Sequence, residues 1–122
     1  MFNKRDAILG IGTDIIEIER IEKALSRWGD HFLQHVFCDE EIAYARRHKN
    51  QTQHLAGRFA AKESILKAIG DNAHVNWKDM KIMNDRHGRP YCVYSDKKFR
   101  HKIFVSISHT KNYAVANAVI TT

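Results

Sequence analysis

The spacing of apolar residues along this chain changes its period several times, and each change marks a new element. Ala7-Ile8-Leu9-Gly10-Ile11-Gly12-Thr13-Asp14-Ile15 is an apolar, β-prone run interrupted by two glycines, which permit close backbone approach or an unusual bend, with Asp14 at its polar end. Ile18, Ile21, Leu25 and Trp28 then recur at helical spacing as one stripe, and Arg20, Lys23 and Arg27 fall together on the opposite face. Gly29-Asp30 ends that helix. After His31 to Phe37, a second helix is expected to begin near Asp39-Glu40-Glu41, acidic residues suited to a helix N-terminus, and to end in the basic run Arg46-Arg47-His48-Lys49. A third and longest helix is expected from about Thr52 to Ile69, stopped by Gly70, with Leu55, Phe59, Ile65, Leu66 and Ile69 marking its buried face.

Beyond Gly70 the pattern shortens to β-like runs at Lys81-Ile82-Met83 and Tyr91-Cys92-Val93-Tyr94, joined by the turn-rich linker Asn84-Asp85-Arg86-His87-Gly88-Arg89-Pro90, a hairpin signal. A last pair, Ile103 to Ser108 and Tyr113 to Ile120, is joined by His109-Thr110-Lys111-Asn112, and Ile103, Val105 and Ile107 alternate as in a half-buried strand. One strand, then helices, then several strands predicts an α+β class with a largely antiparallel sheet packed against a long helix and shorter helices. No internal repeat, low-complexity tract or linker divides the chain, so residues 1–122 are read as a single domain.

Composition narrows the function classes without choosing among them. The chain is 43% hydrophobic and 28% charged, as soluble globular proteins are, and no apolar run approaches the ~20 residues a membrane helix needs. The opening Met1-Phe2-Asn3-Lys4-Arg5-Asp6 lacks the apolar core of a signal peptide. Cys38 and Cys92 lie far apart with no CxxC pairing, so reduced thiols and a cytoplasmic location are expected. The net charge of +6 calls for an anionic partner, which nucleic acid, a membrane surface, nucleotide phosphates or an acidic protein would each satisfy.

The third helix holds the densest set of chemical groups: Arg58, Lys62, Glu63 and Lys67 among Ala56, Ala60 and Ala61. Glu63 and Lys67 are i,i+4 neighbours, with Ala56 and Ala60 on the same side, where small side chains leave room for a ligand. A carboxylate beside an ammonium suits a metal and phosphate site; in isolation the same pair is an ordinary surface ion pair worth a few tenths of a kcal/mol. Lys62 falls inside the apolar stripe between Phe59 and Leu66, so it must snorkel, meet an anion or lie near an interface. Asp14 is either a helix N-cap or, if it converges with Glu63, half of a site for Mg²⁺, an ion that prefers hard oxygen ligands. Ser106-Ile107-Ser108-His109 puts hydroxyls and an imidazole at a turn within reach of a phosphate, although each is also a commonplace turn residue. His31 and His35 have the spacing of a metal pair but no evident third ligand, and read as structural or surface residues. No GxxxxGK[ST], GxGxxG or GxSxG motif and no zinc-ligand cluster occurs.

Three segments together resemble the short bacterial holo-acyl-carrier-protein synthases of the phosphopantetheinyl transferase superfamily. They are Gly10 to Ile21, Ala56-Gly57-Arg58-Phe59-Ala60-Ala61-Lys62-Glu63-Ser64-Ile65-Leu66-Lys67-Ala68, and Val105-Ser106-Ile107-Ser108-His109-Thr110, with the turn Asn84-Asp85 to Gly88-Arg89-Pro90 similar as well. The resemblance implies the phosphopantetheinyl transferase fold. It implies transfer of the 4′-phosphopantetheine arm of coenzyme A to a serine of an apo-acyl carrier protein, with release of 3′,5′-ADP, for fatty acid biosynthesis. It also implies Mg²⁺ held by Asp14 and Glu63 and bridging the pyrophosphate, Lys67 on the phosphates, and Arg58, His109 and Lys49 on the 3′-phosphate or pyrophosphate. Glu63 is the expected acceptor of the serine proton, and Lys67 stabilises developing negative charge. A homotrimer with sites between subunits is implied too, and an acidic carrier helix docking on Arg20, Arg27 and their neighbours.

The chain departs from the family at Asp71-Asn72-Ala73, where a Gly-Thr-Gly-like loop is usual, and at Tyr94 to His101, which is too short for the extra helix of many relatives. Two other readings predict different behaviour. A nucleic-acid-binding module would bind DNA or RNA with steep salt dependence and no need of Asp14, but the aromatic residues are not interleaved with basic ones as base stacking requires. A noncatalytic trimer would bind coenzyme A or carrier protein without transfer.

Overall fold

A computed structural model of the chain describes residues 6–70 and 75–122. The expectations placed on Met1 to Arg5 and on Asp71-Asn72-Ala73 lie outside these residues. The first strand, β1 (Ile8–Glu17), runs two residues past the expected end at Ile15 and pairs antiparallel with the last, β5 (Tyr113–Thr121). On its other edge β5 pairs antiparallel with β4 (Lys102–His109), giving the order β1-β5-β4. The α+β reading and the antiparallel sheet are therefore both realised.

Along β1 the period of two divides the strand cleanly. Gly10, Gly12, Asp14 and Ile16 face inward with Ala114, Ala116 and Ala118 of β5, while Leu9, Ile11 and Ile15 point out. Because β1 continues through Asp14 to Glu17, the residue preceding α1 (Ile18–Trp28) is Glu17, and Asp14 is not a helix cap. Its register partner is Ala116, in the middle of the sheet.

The long helix α4 (Gln51–Ile69) covers the inner face of the sheet and ends at Gly70, whose φ of 101° suits glycine. Its burial departs from the single apolar stripe expected: Leu55, Ala56, Ala60, Ala61 and Ile65 are fully buried, as are Lys62 and Ser64 on other sides. The helix has the sheet against one flank and α3 (Asp39–Arg46) with β2 (Met80–Asn84) against others, so its burial nearly encircles it. Ala56 and Ala60, expected to leave room for a ligand, instead face filled core; their small side chains admit neighbouring structure.

Between α1 and α3 lies a helix that the sequence pattern did not assign, α2 (Asp30–Val36). Seven residues are too few for periodicity to reveal, yet the Gly29 φ of 51° turns the chain directly into it and Leu33 and Val36 bury one turn apart. His31 and His35 are consequently helical but lie on its exposed side, as surface residues. The hairpin β2 (Met80–Asn84) and β3 (Pro90–Tyr94) forms as read; Asp85 Oδ1 accepts from the backbone N–H of His87 at 2.8 Å and of Arg89 at 2.9 Å to shape its turn. Residues 95–101 carry no helix. Among the described residues no helix is long and apolar enough to cross a membrane.

Candidate active site

The site begins with two missing side chains. A Cβ on Gly12 would lie 2.0 Å from the Ser64 carbonyl oxygen, and one on Gly10 would lie 2.0 Å from that of Ala68. Only hydrogen fits at these positions, so α4 lies directly on the β1 backbone. Asp14, two residues beyond Gly12 on the same face, is thereby brought against the last turns of α4, where Glu63 and Lys67 project.

Lys67 Nζ donates to Asp14 Oδ1 at 3.2 Å and to the Thr13 carbonyl oxygen at 2.9 Å. Its side chain stays 53% exposed while that of Asp14 is only 15% exposed, so one of the three ammonium donors remains for an outside partner. Glu63 is half-buried; burial raises its carboxyl above the ordinary value, the Asp14 carboxylate adds to the rise, and Lys67 opposes it. Asp14 and Glu63 are therefore near enough for one charge to act on the other. The two carboxylates, with Glu63 raised in proton affinity beside Asp14, form an oxygen-only donor set that a cation would suit. Among the described residues no group of three or more metal-ligating His, Cys, Asp or Glu forms, and Mg²⁺ commonly takes one or two carboxylates with substrate phosphates and water, so the pair fits that ion.

Arg58 and His109 converge on a second place. Arg58 is only 3% exposed, its guanidinium 4.0 Å over the Tyr44 ring and its Nη2 donating to Asn84 Oδ1 at 2.5 Å. Its Nε is buried with no hydrogen-bond partner, and among the described residues no carboxylate forms a salt bridge with it. Burial lowers its pKa, but a guanidinium stays charged. It opens onto a cavity of about 200 Å³ whose walls include Tyr44, His54, Asn84, Pro90 and His109. A buried cation with an unpartnered Nε and no salt bridge among the described residues, beside an open cavity, is a place for an anion.

The remaining expected residues fall elsewhere. Lys49 is exposed in the turn after α3 and lines a neighbouring groove with Thr52, Gln53 and Lys111; Gln53 is shared with the Arg58 cavity. Arg20 and Arg27 are exposed on α1, where Lys23 pairs with Glu19 at 3.3 Å and Arg27 lies 5.0 Å over the Trp28 ring. Ser106 and Ser108 face the outer side of the sheet, and His109 ends β4 at the cavity rim. Lys62 meets an anion: Nζ donates to Glu41 Oε1 at 2.7 Å, Val36 O at 2.7 Å and Trp77 O at 3.1 Å, fully buried. Its position thus needs no subunit interface.

Sequence reasoning missed Tyr44, Asn84, His48 and His54. Tyr44 and Asn84 belong to different elements that meet only around Arg58, and nothing in their local pattern signals that meeting. The buried cation itself was the available clue, because an arginine inside a helix of small residues requires partners.

Known proteins resemble this chain over most of its length. The sequence model of the 4′-phosphopantetheinyl transferase superfamily matches residues 10–118. The holo-[acyl-carrier-protein] synthase of Protochlamydia amoebophila is 44% identical over 117 residues, covering 91% of this chain and 96% of that relative. That of Thermodesulfovibrio yellowstonii is 44% identical over 114 residues, covering 93% and 99%. A crystal structure of a holo-(acyl-carrier-protein) synthase from Bacillus anthracis in complex with CoA (3′,5′-ADP) matches with a TM-score of 0.83 at 39% identity, covering 94% of this chain and 97% of that one. The Helicobacter pylori synthase in complex with coenzyme A matches with a TM-score of 0.81 at 32% identity, covering 90% and 98%. With its glycine-seated carboxylate pair and a family match over most of its length, the chain belongs to the 4′-phosphopantetheinyl transferase superfamily.

Proposed function

We propose that this chain transfers the 4′-phosphopantetheine arm of coenzyme A to a serine of an acidic acyl carrier protein, with Mg²⁺ held between Asp14 and Glu63. The observation that carries the reading is the convergence of Asp14, Glu63 and Lys67 where α4 rests on Gly10 and Gly12. Phosphoryl transfer asks a protein mainly to position reactants and neutralise oxygen charge, which two carboxylates for a cation and one free ammonium donor can do. Bound there, Mg²⁺ supplies charge neutralisation on the pyrophosphate oxygens.

The serine oxygen bonds to the β-phosphorus while the bond to 3′,5′-ADP breaks and its electrons leave with that group. Glu63 accepts the serine proton, a task helped by burial that raises its proton affinity. Lys67 faces the negative charge growing on the phosphoryl oxygens, held on station by Thr13 O and Asp14. The Arg58 cavity takes the nucleotide phosphate, with His109 at its rim. Arg20 and Arg27 attract the acidic carrier, and Lys49 extends the basic margin of the nucleotide groove.

A homotrimer with its sites between subunits is part of the proposal. Its support is the outer face of β1, where Ile11 is 71% and Ile15 64% exposed beside Leu9, more apolar surface in one row than a monomer usually leaves uncovered. Sedimentation at micromolar concentration should give three times the chain mass, and an active monomer would remove the shared-site model. To test the activity, apo-carrier protein is incubated with the chain, coenzyme A and Mg²⁺, and the carrier is weighed by mass spectrometry. A gain of one phosphopantetheine arm supports the reading; an unmodified carrier with coenzyme A bound supports a noncatalytic binder instead.

A further inference from the structure

The cavity beside Arg58 carries more histidine than anion binding by an arginine requires. His54 of α4 lies 4.2 Å, centroid to centroid, from the ring of His48 and 6.1 Å from that of His109, with Tyr44 at 5.6 Å. His48 is fixed by its Nδ1, which donates to the Tyr44 carbonyl oxygen at 2.7 Å. Three imidazoles from three segments, the turn after α3, α4 and the end of β4, thus form a row, and two of them, His54 and His109, line the cavity of one buried guanidinium whose Nε has no partner. Among the described residues no three metal-ligating side chains converge, so the row is not a metal site.

We infer that His54, backed by His48 and facing His109, is a proton-coupled positioning residue: it takes up a proton from solvent as a phosphate enters the Arg58 cavity, so phosphate affinity strengthens as pH falls. The inference rests on the proposal that this cavity holds a nucleotide phosphate. Every charged neighbour acting on His54 is a cation when protonated: His48 behind it, His109 from β4 and Arg58 on its own helix. Burial first, and then these three, hold His54 below the ordinary histidine value, so the ring is neutral near pH 7 while the cavity is empty. A phosphate dianion reverses the sign of the local field and makes the imidazolium the favoured form. Linkage is reciprocal, so the proton that binding draws in is a proton that improves binding.

The test titrates the chain with 3′,5′-ADP by calorimetry near pH 7 in two buffers of different ionisation enthalpy, which counts protons taken up per ligand bound. His54→Gln removes the titrating ring, and His54→Phe keeps ring packing against His48 and His109. The parent should take up about half a proton more than either variant, and its affinity should fall between pH 6 and pH 8 by about fivefold more than theirs. Arg58→Gln serves as the control on the cavity itself. If Arg58→Gln weakens 3′,5′-ADP binding while both His54 variants keep the parental proton count, proton coupling at His54 is wrong and the phosphate cavity stands. If Arg58→Gln leaves binding unchanged, the phosphate does not enter this cavity, and both readings fall.

Discussion

Helix α4 carries two lysine–carboxylate pairs barely more than a turn apart, and they have opposite characters. Lys62 and Glu41 are both 0% exposed and every polar atom is spoken for: Nζ has three oxygen partners, and Glu41 accepts from the backbone N–H of Cys38 at 2.9 Å and of Ile82 at 3.0 Å. Lys67 is half open over a mostly buried Asp14, with a donor to spare and a second carboxylate, Glu63, crowding in. The first pair ties α2, α3 and β2 to α4 and leaves nothing for a ligand. The second is incomplete by itself, and incompleteness on an open surface is what separates a site from a strut. Lys62 also shows burial acting against charge, for desolvation lowers its pKa while Glu41 pulls it back up.

The largest effect should come from breaking the strut. Lys62→Met leaves the Glu41 carboxylate buried without its cation, and urea denaturation should show a loss of roughly 3–5 kcal/mol. A loss below about 1 kcal/mol would mean that water reaches Glu41 and the pair is no strut. Next is Gly12→Ala, whose Cβ would strike the Ser64 carbonyl and push α4 from β1; stability should fall by about 1–3 kcal/mol, with turnover falling as well because Asp14 moves from Glu63.

Lys67→Met sharpens the contrast from the other side. Losing a half-exposed ion pair should change stability by less than about 1 kcal/mol, while transfer drops about 10²-fold. A variant as unstable as Lys62→Met would erase the distinction between the two pairs. The smallest effect belongs to Arg20→Glu, in the first turn of α1, which should raise KM for carrier protein several-fold and weaken the salt dependence of kcat/KM, leaving coenzyme A affinity unchanged. Equal loss of coenzyme A affinity would place Arg20 in the nucleotide site.

Much of this architecture was legible in the sequence because local pattern and tertiary role coincide. Helix α4, its glycine stop and the two hairpin strands follow from period and punctuation, and the glycines of β1 already advertised close approach. The motif segments identified the carboxylates by resemblance, but their convergence depends on α4 lying on β1, a long-range contact no window of sequence contains. Helix α2 was illegible because seven residues carry too little periodicity. Lys62 was legible only as an anomaly, since the sequence shows a charge inside an apolar stripe but not which of several acidic residues will meet it. The Arg58 cavity was hidden for the same reason: Tyr44, Asn84 and His109 are separated along the chain and meet only when β2 and β4 close around α4.

The central claim, that Asp14 and Glu63 form one site and not two unrelated surface carboxylates, is tested most directly by the rate of carrier modification in Asp14→Asn and Glu63→Gln, followed by mass spectrometry at saturating Mg²⁺ and coenzyme A with melting curves recorded alongside. Each variant should melt close to the parent and lose turnover by about 10²-fold or more, and the double variant should be little worse than either single one, because groups acting as a unit are not additive. Transfer at near the parental rate by either folded variant would contradict the account.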